Sequence, residues 1–355
     1  MKDTLSASPS KSNKEHLVTS EQKPIRIALV GCGRIAHSHL NALKLNPKYE
    51  LIAVCDSVSE KADEVATKYA VRPYYELKKL LTQEKLDLLT LTTPSGLHPA
   101  QAILCADFGV NCLSEKPLGI DYKESLKCVE YFEKKGLGLF VVKQNRYNPT
   151  VAKVHAWIKM GLLGKLYLLE SNVFWHRPQS YYDAAPWRGT RELDGGAFMN
   201  QASHYVDLMQ WFGGEVLHAS SELETFERNI ECEDTGAALI RFKSGAIGVM
   251  AVSMLTYPEN LEGSITIIGQ KGTIRIGGKA LNRIETLKLE DSSALDASVA
   301  ELNYEPNNVY GHGHGIYYQE LLRFLKDPHH PDAITGREGL KSLKLLWQIY
   351  GEKNF

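Results

Sequence analysis

The sequence lacks the marks of several classes of protein. None of its apolar runs reaches the roughly 18–20 residues that a membrane-spanning helix needs. The first 23 residues are rich in Ser and Lys and have no apolar core of the kind found in a secretory signal. The formal net charge is only -1, so no basic surface for nucleic acid is expected. We therefore expect neither a membrane nor a nucleic-acid partner.

Cysteine is scarce and has no functional pattern. The six cysteines form no CxxC pair and no metal-ligand spacing, and most stand in apolar runs, as buried reduced thiols do. Four histidines of the carboxyl-terminal part are expected in loops and form no metal set: His312, His314, His329 and His330. These features predict a cytoplasmic protein without a metal site.

The pattern of apolar residues divides the 355-residue chain into three parts. Residues 1–23 are expected to form a flexible tail. In residues 24–146, short and wholly apolar runs alternate with amphipathic stretches, which indicates a doubly wound parallel sheet of the Rossmann type. Residues 147–355 contain long alternating runs with turns between them, which indicates an α+β domain with a large, mostly antiparallel open sheet. The second domain is expected to bind substrate and to support oligomerisation.

A glycine-rich turn follows the first apolar run. The segment 31–36, GCGRIA, fits the G-x-G-x-x-[G/A] fingerprint, in which Gly31 makes the tight turn and Gly33 lets a diphosphate approach the backbone. Arg34 and Ile35 begin the helix whose N–H groups face the phosphates. The next apolar run ends at Asp56 and Ser57, and a carboxylate there binds the ribose hydroxyls and repels a 2′-phosphate. The turn therefore predicts NAD as the cofactor.

Two later strand ends should lie beside the nicotinamide. The first, residues 92–98, supplies Thr93, Pro94, Leu97 and His98, although a histidine there is also compatible with simple packing at a helix start. The second is the triplet 115–117, Glu-Lys-Pro. Lys116 could stabilise an alkoxide that develops as hydride leaves, whereas in isolation such a triplet is commonly a solvated turn.

The ordered set of motifs resembles the glucose–fructose oxidoreductase/inositol dehydrogenase (Gfo/Idh/MocA) family. The motifs are GCGRIA with its aspartate, TTPSGLH, EKP and QNRYNP at 144–149. The resemblance implies an NAD-dependent dehydrogenase in which Lys116 is catalytic and contacts both ligands. It also implies cofactor contacts from Glu115 and Gln144 and a substrate contact from Tyr147.

A second catalytic element is expected on a helix over roughly 195–212. Asn200 and His204 are four residues apart and so share one helical face, with Asp207 one turn further. Many members of the family carry Asp-x-x-x-His there, so Asn200 is a departure, because an amide holds no negative charge beside the imidazole. We expect His204 to accept the hydroxyl proton, Lys116 to assist, and Asn200 and Gln201 to contact the substrate.

The segment 174–196 is dense in arginine and aromatic residues, which favours a loop that faces a ligand. Arg177, Arg188 and Arg191 suit a carboxylate or phosphate, and Tyr181 and Trp187 could stack on flat rings. We expect Arg177 and Tyr181 at the substrate, and Trp187 and Arg188 at the cofactor.

Several segments together resemble one subgroup of the family, the UDP-N-acetyl-2-amino-2-deoxyglucuronate 3-dehydrogenases. They are QNRYNP, the loop YYD…WRGT, MNQASHYVDLMQW and residues 310–321. This resemblance implies oxidation of the sugar C3 hydroxyl of UDP-N-acetylglucosaminuronate, in the synthesis of bacterial surface polysaccharides such as O-antigen.

Other functions remain open at this stage. One alternative is a dehydrogenase of UDP-N-acetylglucosamine or of a free sugar or cyclitol. A non-catalytic NAD-sensing regulator is an alternative of another class, although such a protein would need neither Lys116 nor His204. A homo-oligomer, dimer or tetramer, is expected from the open sheet and the family resemblance.

Overall fold

A computed structural model of the protein describes residues 23–293, 295, 298–306, 313–327 and 329–351. Nearly all of the predicted tail, together with His312 and residues 310–312 of the last family segment, lies outside the described residues. Among the described helices, none combines the length and apolar character needed to cross a bilayer.

The first half of the chain forms a six-stranded parallel sheet in the order β3-β2-β1-β4-β5-β6. Its strands are β1 (Ile25–Val30), β2 (Tyr49–Cys55), β3 (Arg72–Tyr74), β4 (Leu88–Leu91), β5 (Asn111–Ser114) and β6 (Leu139–Val141). The helices between them are α1 (Ala36–Lys44), α2 (Ser59–Tyr69), α3 (Leu77–Gln83), α4 (His98–Asp107) and α5 (Tyr122–Lys135). The strand order reverses between β1 and β4, so a crevice opens beyond their carboxyl ends.

The second half builds a seven-stranded sheet in the order β13-β12-β11-β7-β10-β9-β8. Its strands are β7 (Leu166–Phe174), β8 (Val216–Glu224), β9 (Thr235–Phe242), β10 (Ile247–Ser253), β11 (Glu262–Gly269), β12 (Gly272–Gly277) and β13 (Arg283–Leu289). All of its neighbouring strands are antiparallel except β7 and β10. The predicted fold class is therefore confirmed.

The described helices cover one face of this second sheet, and apolar side chains of the other face are exposed among the described residues. The helices of this half are α6 (Pro149–Lys159), α7 (Gln179–Asp183), α8 (Ser203–Gly213), α9 (Val299–Leu302), α10 (Gly313–Lys326) and α11 (Gly336–Tyr350). Val206, Met209 and Phe212 of α8 are buried in the core under the sheet. On the open face Leu239, Ile247 and Ile268 are exposed. Such a face suits self-association, and the homo-oligomer stays a prediction.

The last two helices return to the first sheet. Tyr317 of α10 donates its hydroxyl proton to the carbonyl oxygen of Val141 on β6, at 2.9 Å. Helix α11 packs against α5 and β6 on one side and against α8 and β8 on the other. The two sheets are thus joined through the end of the chain as well as through residues 142–165. The predicted division at residues 146 and 147 stays a prediction.

A buried ionic cluster joins the same elements. Asp207 of α8 accepts two hydrogen bonds from Arg146, both at 2.8 Å, and lies 3.2 Å from the ammonium of Lys143. Arg146 also donates to Glu338 of α11 at 2.9 Å. The two cations hold the pKa of Asp207 well below its usual range, against the opposing effect of burial. The cluster anchors the helix that carries His204.

Candidate active site

The glycine turn leaves open space over the start of α1. Gly31 has φ +95, and a Cβ there would lie 2.7 Å from backbone atoms of Thr92, so only glycine fits. At Gly33 nothing lies within 4 Å of the position that a Cβ would take. The adjoining cleft has a volume of about 1170 Å³, above the roughly 300–1,000 Å³ of typical ligand pockets. It can therefore hold a dinucleotide and a second ligand.

Asp56 closes the adenosine end of this cleft. Its carboxylate accepts hydrogen bonds from the backbone N–H groups of Cys32 at 2.7 Å and Val58 at 2.9 Å. These bonds fix a negative charge at the end of β2, where a ribose of the cofactor would lie. The residues present fit NAD.

We expect Asp56→Ala to weaken NAD binding about 10- to 100-fold and to narrow the preference for NAD over NADP. Loss of hydrogen bonds to a charged group costs about 1.5–3 kcal/mol, and removal of the carboxylate relieves its repulsion of a 2′-phosphate. The check is calorimetric titration with both dinucleotides. Glu60→Ala, which removes an exposed carboxylate of α2, should change neither affinity. An unchanged ratio of NAD to NADP affinity in Asp56→Ala would contradict the assignment of Asp56 to the ribose of the cofactor.

Most of the residues predicted for the site line this one cleft. From the first half these are Gly31, Gly33, Arg34, Ile35, Asp56, Ser57, Thr93, Pro94, Leu97, Glu115, Lys116 and Gln144. From the second half they are Arg177, Tyr181, Trp187, Arg188, Asn200, Gln201 and His204. Their individual roles stay predictions, but the structure brings the two sets together.

Two predicted residues lie elsewhere. His98 is buried behind the cleft wall, with its ring nitrogens 2.8 Å from the carbonyl oxygen of Pro117 and 2.9 Å from that of Thr93. Its ring connects the start of α4 to the turn after β5. The structure therefore matches the alternative in which His98 packs at the start of a helix. Tyr147 lines a separate cavity and packs edge-on against Tyr317, because α10 covers that side of the sheet. Neither side chain forms the wall of the cleft, in contrast to the prediction.

Lys116 reaches across the cleft to the second half of the chain. Its ammonium donates to the backbone carbonyl oxygen of Asn200 at 3.1 Å. Burial lowers the pKa of Lys116, and the carboxylates of Glu115 and Asp194 oppose that effect. A partly desolvated ammonium of this kind can stabilise negative charge that develops on a bound oxygen.

The backbone before α8 is a π-helix, Ala197–Gln201. The assumed regular helical face from Asn200 to His204 is therefore wrong, because the wider turn changes the angle between the two residues. The side-chain amide of Asn200 donates to the carboxylate of Asp194, and the backbone carbonyl oxygen of Asn200 accepts from Lys116. Both Asn200 and His204 still line the cleft.

His204 is a neutral imidazole at the inner end of the cleft. Its Nε2 lies 3.0 Å from the amide nitrogen of Gln144, which donates to it and so leaves the ring proton on Nδ1. Burial, and next the positive charge of Lys116, hold the pKa of His204 well below its usual 6.5. A neutral Nε2 is the state that can accept a proton.

The arginine-rich loop forms the outer wall. Arg177 lies over the rings of Trp175 and Tyr181, at 4.9 and 5.4 Å, and donates to Gln201 at 2.9 Å. Arg188 lies over Tyr181 at 4.3 Å. Arg191 instead points outward and binds Glu231, so two of the three predicted arginines line the cleft.

This loop packs tightly on the cofactor-binding half. The N–H of Gly96 donates to the carbonyl oxygen of Leu193 at 3.2 Å, and a Cβ at Gly96 would lie 1.9 Å from the carbonyl oxygen of Glu192. The close approach closes the cleft between the turn that carries Pro94 and Leu97 and the arginine-rich loop.

Gly96→Ala should lower the free energy of unfolding by about 1–3 kcal/mol, the usual cost of overpacking, and should weaken NAD binding. The added methyl group must push backbone away from backbone. Chemical unfolding and NAD titration measure the two effects. Gly315→Ala is the matched control, since its new Cβ on α10 meets open space. Equal behaviour of the two variants would contradict the close approach.

One cluster of possible metal ligands occurs among the described residues. His39, Glu115 and His314 are buried, with ligand atoms within 4.8 Å of one another. Hydrogen bonds already use both ring nitrogens of His39, which lie 2.9 Å from Glu115 and 2.8 Å from the hydroxyl of Tyr318. His314 begins α10, where a loop was predicted. The absence of a metal site stays a prediction.

Sequence analysis missed several residues at the site. Trp175, His176, Tyr205 and Asn260 line the cleft, and Asp194 lies directly behind it. Asp194 had a usable signal, because it precedes two glycines at the start of the catalytic helix. Trp175, His176 and Asn260 come from a strand end and a turn with no motif of their own, whereas Tyr205 lies on α8 next to His204.

Comparisons with known proteins agree with this geometry. One family model, described as an oxidoreductase family with an NAD-binding Rossmann fold, matches residues 25–143. A second, the GFO/IDH/MocA C-terminal domain, matches residues 151–275. Among curated proteins, myo-inositol 2-dehydrogenase of Thermotoga maritima is 26% identical over 90% of this chain and 94% of its own.

Two solved structures are much more similar. WlbA dehydrogenase of Bordetella pertussis, in complex with NADH and UDP-GlcNAcA, is 47% identical with a TM-score of 0.89, covering 92% of this chain and 95% of that one. WlbA of Chromobacterium violaceum, with the same ligands, is 45% identical with a TM-score of 0.87, covering 93% and 94%. Both bind the cofactor and the nucleotide sugar that the predicted subgroup implies.

The family resemblance, the enzyme class and the cofactor are thereby confirmed together. The matches extend over most of both sheets, and the glycine turn and Asp56 lie where a dinucleotide-binding Rossmann domain has them. The chain belongs to the GFO/IDH/MocA family and is an NAD-dependent oxidoreductase.

Proposed function

We propose that this protein is an NAD-dependent sugar dehydrogenase that oxidises the C3 hydroxyl of UDP-N-acetylglucosaminuronate to the 3-keto sugar. The observation that carries the proposal is the convergence of Lys116, His204 and two arginines on the cleft that adjoins the glycine turn. The nucleotide-sugar complexes of the two WlbA relatives support the same substrate class.

The charge of the cleft suits an anionic substrate. Arg177 and Arg188 present guanidinium groups on a platform of aromatic rings, where partial desolvation strengthens contacts to carboxylate and phosphate. Trp175, Tyr181 and Trp187 add flat apolar surface beside them. A diphosphate and a uronate carboxylate would use both arginines.

The chemistry needs a base, an electrostatic stabiliser and a hydride acceptor. Bound NAD supplies the acceptor for the hydrogen on C3. His204 takes the hydroxyl proton on Nε2 once the substrate hydroxyl replaces the amide of Gln144 at that nitrogen, and Lys116 stabilises the negative charge on the oxygen as the carbonyl forms. Asn200 orients the sugar ring. A regulator that only senses NAD would require neither Lys116 nor His204 in the cleft.

The experiment measures the oxidation of a panel of sugars and UDP-sugars through the increase in NADH absorbance. We expect UDP-N-acetylglucosaminuronate to exceed UDP-N-acetylglucosamine by about 10- to 100-fold in kcat/KM, because a charge-assisted bond is worth about 1.5–3 kcal/mol. Arg177→Met should reduce this preference, and Arg191→Met, outside the cleft, should leave it unchanged. A higher rate with an uncharged sugar or with myo-inositol would overturn the proposal.

The product fixes the kind of step that follows. A 3-keto sugar is a substrate for amino transfer, so we place the reaction in the synthesis of amino-sugar precursors for bacterial surface polysaccharides, in the cytoplasm. This setting follows from the proposed substrate, so a panel in which UDP-N-acetylglucosaminuronate is not oxidised would remove it.

A further inference from the structure

Asp194 is a buried carboxylate that the chemistry above leaves unused. It is only 2% exposed and does not line the cleft. One carboxylate oxygen accepts the N–H of Gly189 at 2.7 Å, and the other accepts the side-chain amide of Asn200. An ionised carboxylate so deeply buried is costly unless it is hydrogen-bonded and paired with an opposite charge.

The contact with Asn200 determines how that amide is oriented. An ionised carboxylate only accepts hydrogen bonds, so the amide must turn its NH₂ group towards Asp194. The amide oxygen of Asn200 then points away from Asp194, and no described residue donates to it. Asn200 lines the cleft, so this oxygen is available to a substrate hydroxyl.

The charge of Asp194 also acts on Lys116. Its negative charge raises the pKa of Lys116, and the charge of Lys116 in turn lowers that of Asp194. Burial outweighs these effects and raises the pKa of Asp194 to about 6, so the carboxylate is ionised at neutral pH. Asn200 carries no charge, and Asp194 is the carboxylate immediately behind it.

We propose that Asp194 is the positioning residue of this centre, which fixes the amide of Asn200 and supplies Lys116 with the negative charge that an amide lacks. Position 200 usually holds an aspartate in the family. Here the carboxylate comes instead from Asp194 in the preceding loop, through one hydrogen bond to Asn200. The inference rests on the proposed function for its kinetic measurements.

Asp194→Asn should lower kcat about 10- to 100-fold, the range expected when a reacting group is misplaced, with KM and NAD affinity changed less than about 3-fold. A neutral asparagine at position 194 can both donate and accept, so the amide of Asn200 can also exchange the positions of its oxygen and its NH₂ group. Without the carboxylate the pKa of Lys116 falls, so Lys116 loses its proton at a lower pH. The alkaline limb of the pH–activity profile should therefore shift to lower pH. A wild-type kcat and alkaline midpoint would overturn the proposal.

Other charged groups surround both residues and must be held constant. Those acting on Lys116 are Glu115, Lys143 and Arg34, with His98 and His204 close by; those acting on Asp194 are Arg188, Glu233, Tyr182 and Cys232. Glu233→Gln is the matched control. Its buried carboxylate binds Phe198 N–H and the Tyr350 hydroxyl but neither Asn200 nor Lys116. An equal shift of the alkaline midpoint in this control would overturn the proposal.

A charge swap supplies the rescue. Asp194→Asn combined with Asn200→Asp moves the carboxylate to the position usual in the family, and should be at least about 5-fold faster than Asp194→Asn alone. A double variant no faster than the single one would overturn the proposal. The folded population of each variant is checked by thermal unfolding.

Thermal unfolding also gives a test that needs no substrate. Burial raises the pKa of Asp194, so its ionisation opposes folding, and the wild type should lose stability relative to Asp194→Asn as pH rises through about 6. In a double-mutant cycle with Lys116→Met at pH 8, the two charges should couple; a null coupling overturns the inference. If the two charges couple but no UDP-sugar is oxidised, the proposed function is contradicted and the pairing of Asp194 with Lys116 is kept.

Discussion

His204→Asn should lower kcat by about 10²- to 10⁴-fold, the usual contribution of a positioned general base, while NAD affinity changes less than about 2-fold. Asparagine keeps a hydrogen-bonding group near Gln144 but cannot accept a proton at neutral pH. Because burial and Lys116 hold the pKa of His204 far below its usual range, the ring is neutral throughout the neutral range, and the wild-type activity should show no histidine-dependent loss between pH 6 and 8.

Steady-state kinetics and NAD titration of the same preparations measure the two quantities. His218→Asn is the matched control, because this histidine is exposed on β8 and lies outside the cleft. A fall in NAD affinity with little change in kcat would remove His204 from the proton-accepting role and assign it to cofactor packing.

Asp207→Asn should lower the free energy of unfolding by about 3–5 kcal/mol, the usual effect of removing one partner from a buried ion pair. The substitution leaves Lys143 and Arg146, whose side chains are 3% and 5% exposed, without their shared carboxylate. Since the pKa of Asp207 is held below its unfolded value of 3.8, its contribution is fully present above about pH 4 and is lost as pH falls further.

Urea unfolding of the wild type and the variant at several pH values measures this contribution, which should vanish from the difference at low pH. The control is Glu133→Gln, which breaks an exposed pair with Arg337 and should cost less than about 1 kcal/mol. Similar losses in the two variants would show that the buried cluster is no stronger than a surface pair.

The cofactor half of the fold could be predicted because its signals are local. The strand, the glycine turn and Asp56 stand within 32 residues, 25–56, and each belongs to a pattern with one geometric solution. The alternating runs of the second half likewise predicted a sheet with one covered face. In both cases short-range periodicity was sufficient.

The remaining features depend on contacts between distant residues. Asn200, the partner of Asp194, lies in a π-helix that no pattern in the sequence predicted. Tyr147 was assigned to the substrate, but α10, more than 160 residues later, covers its side of the sheet. His98, which was expected to contact the cofactor, is instead buried behind the cleft wall, where its ring nitrogens contact the carbonyl oxygens of Thr93 and Pro117.

The return of α10 and α11 to the first sheet has a consequence for biosynthesis. Tyr49, Leu113, Phe140 and Val142 of the cofactor half pack against Tyr317, Tyr318, Leu321 and Phe324 of α10. During translation these apolar side chains stay uncovered until residues 313–326 have left the ribosome. A nascent chain therefore exposes this apolar surface until α10 has been made, and a stop codon before residue 313 would leave the surface permanently exposed to chaperones or aggregation.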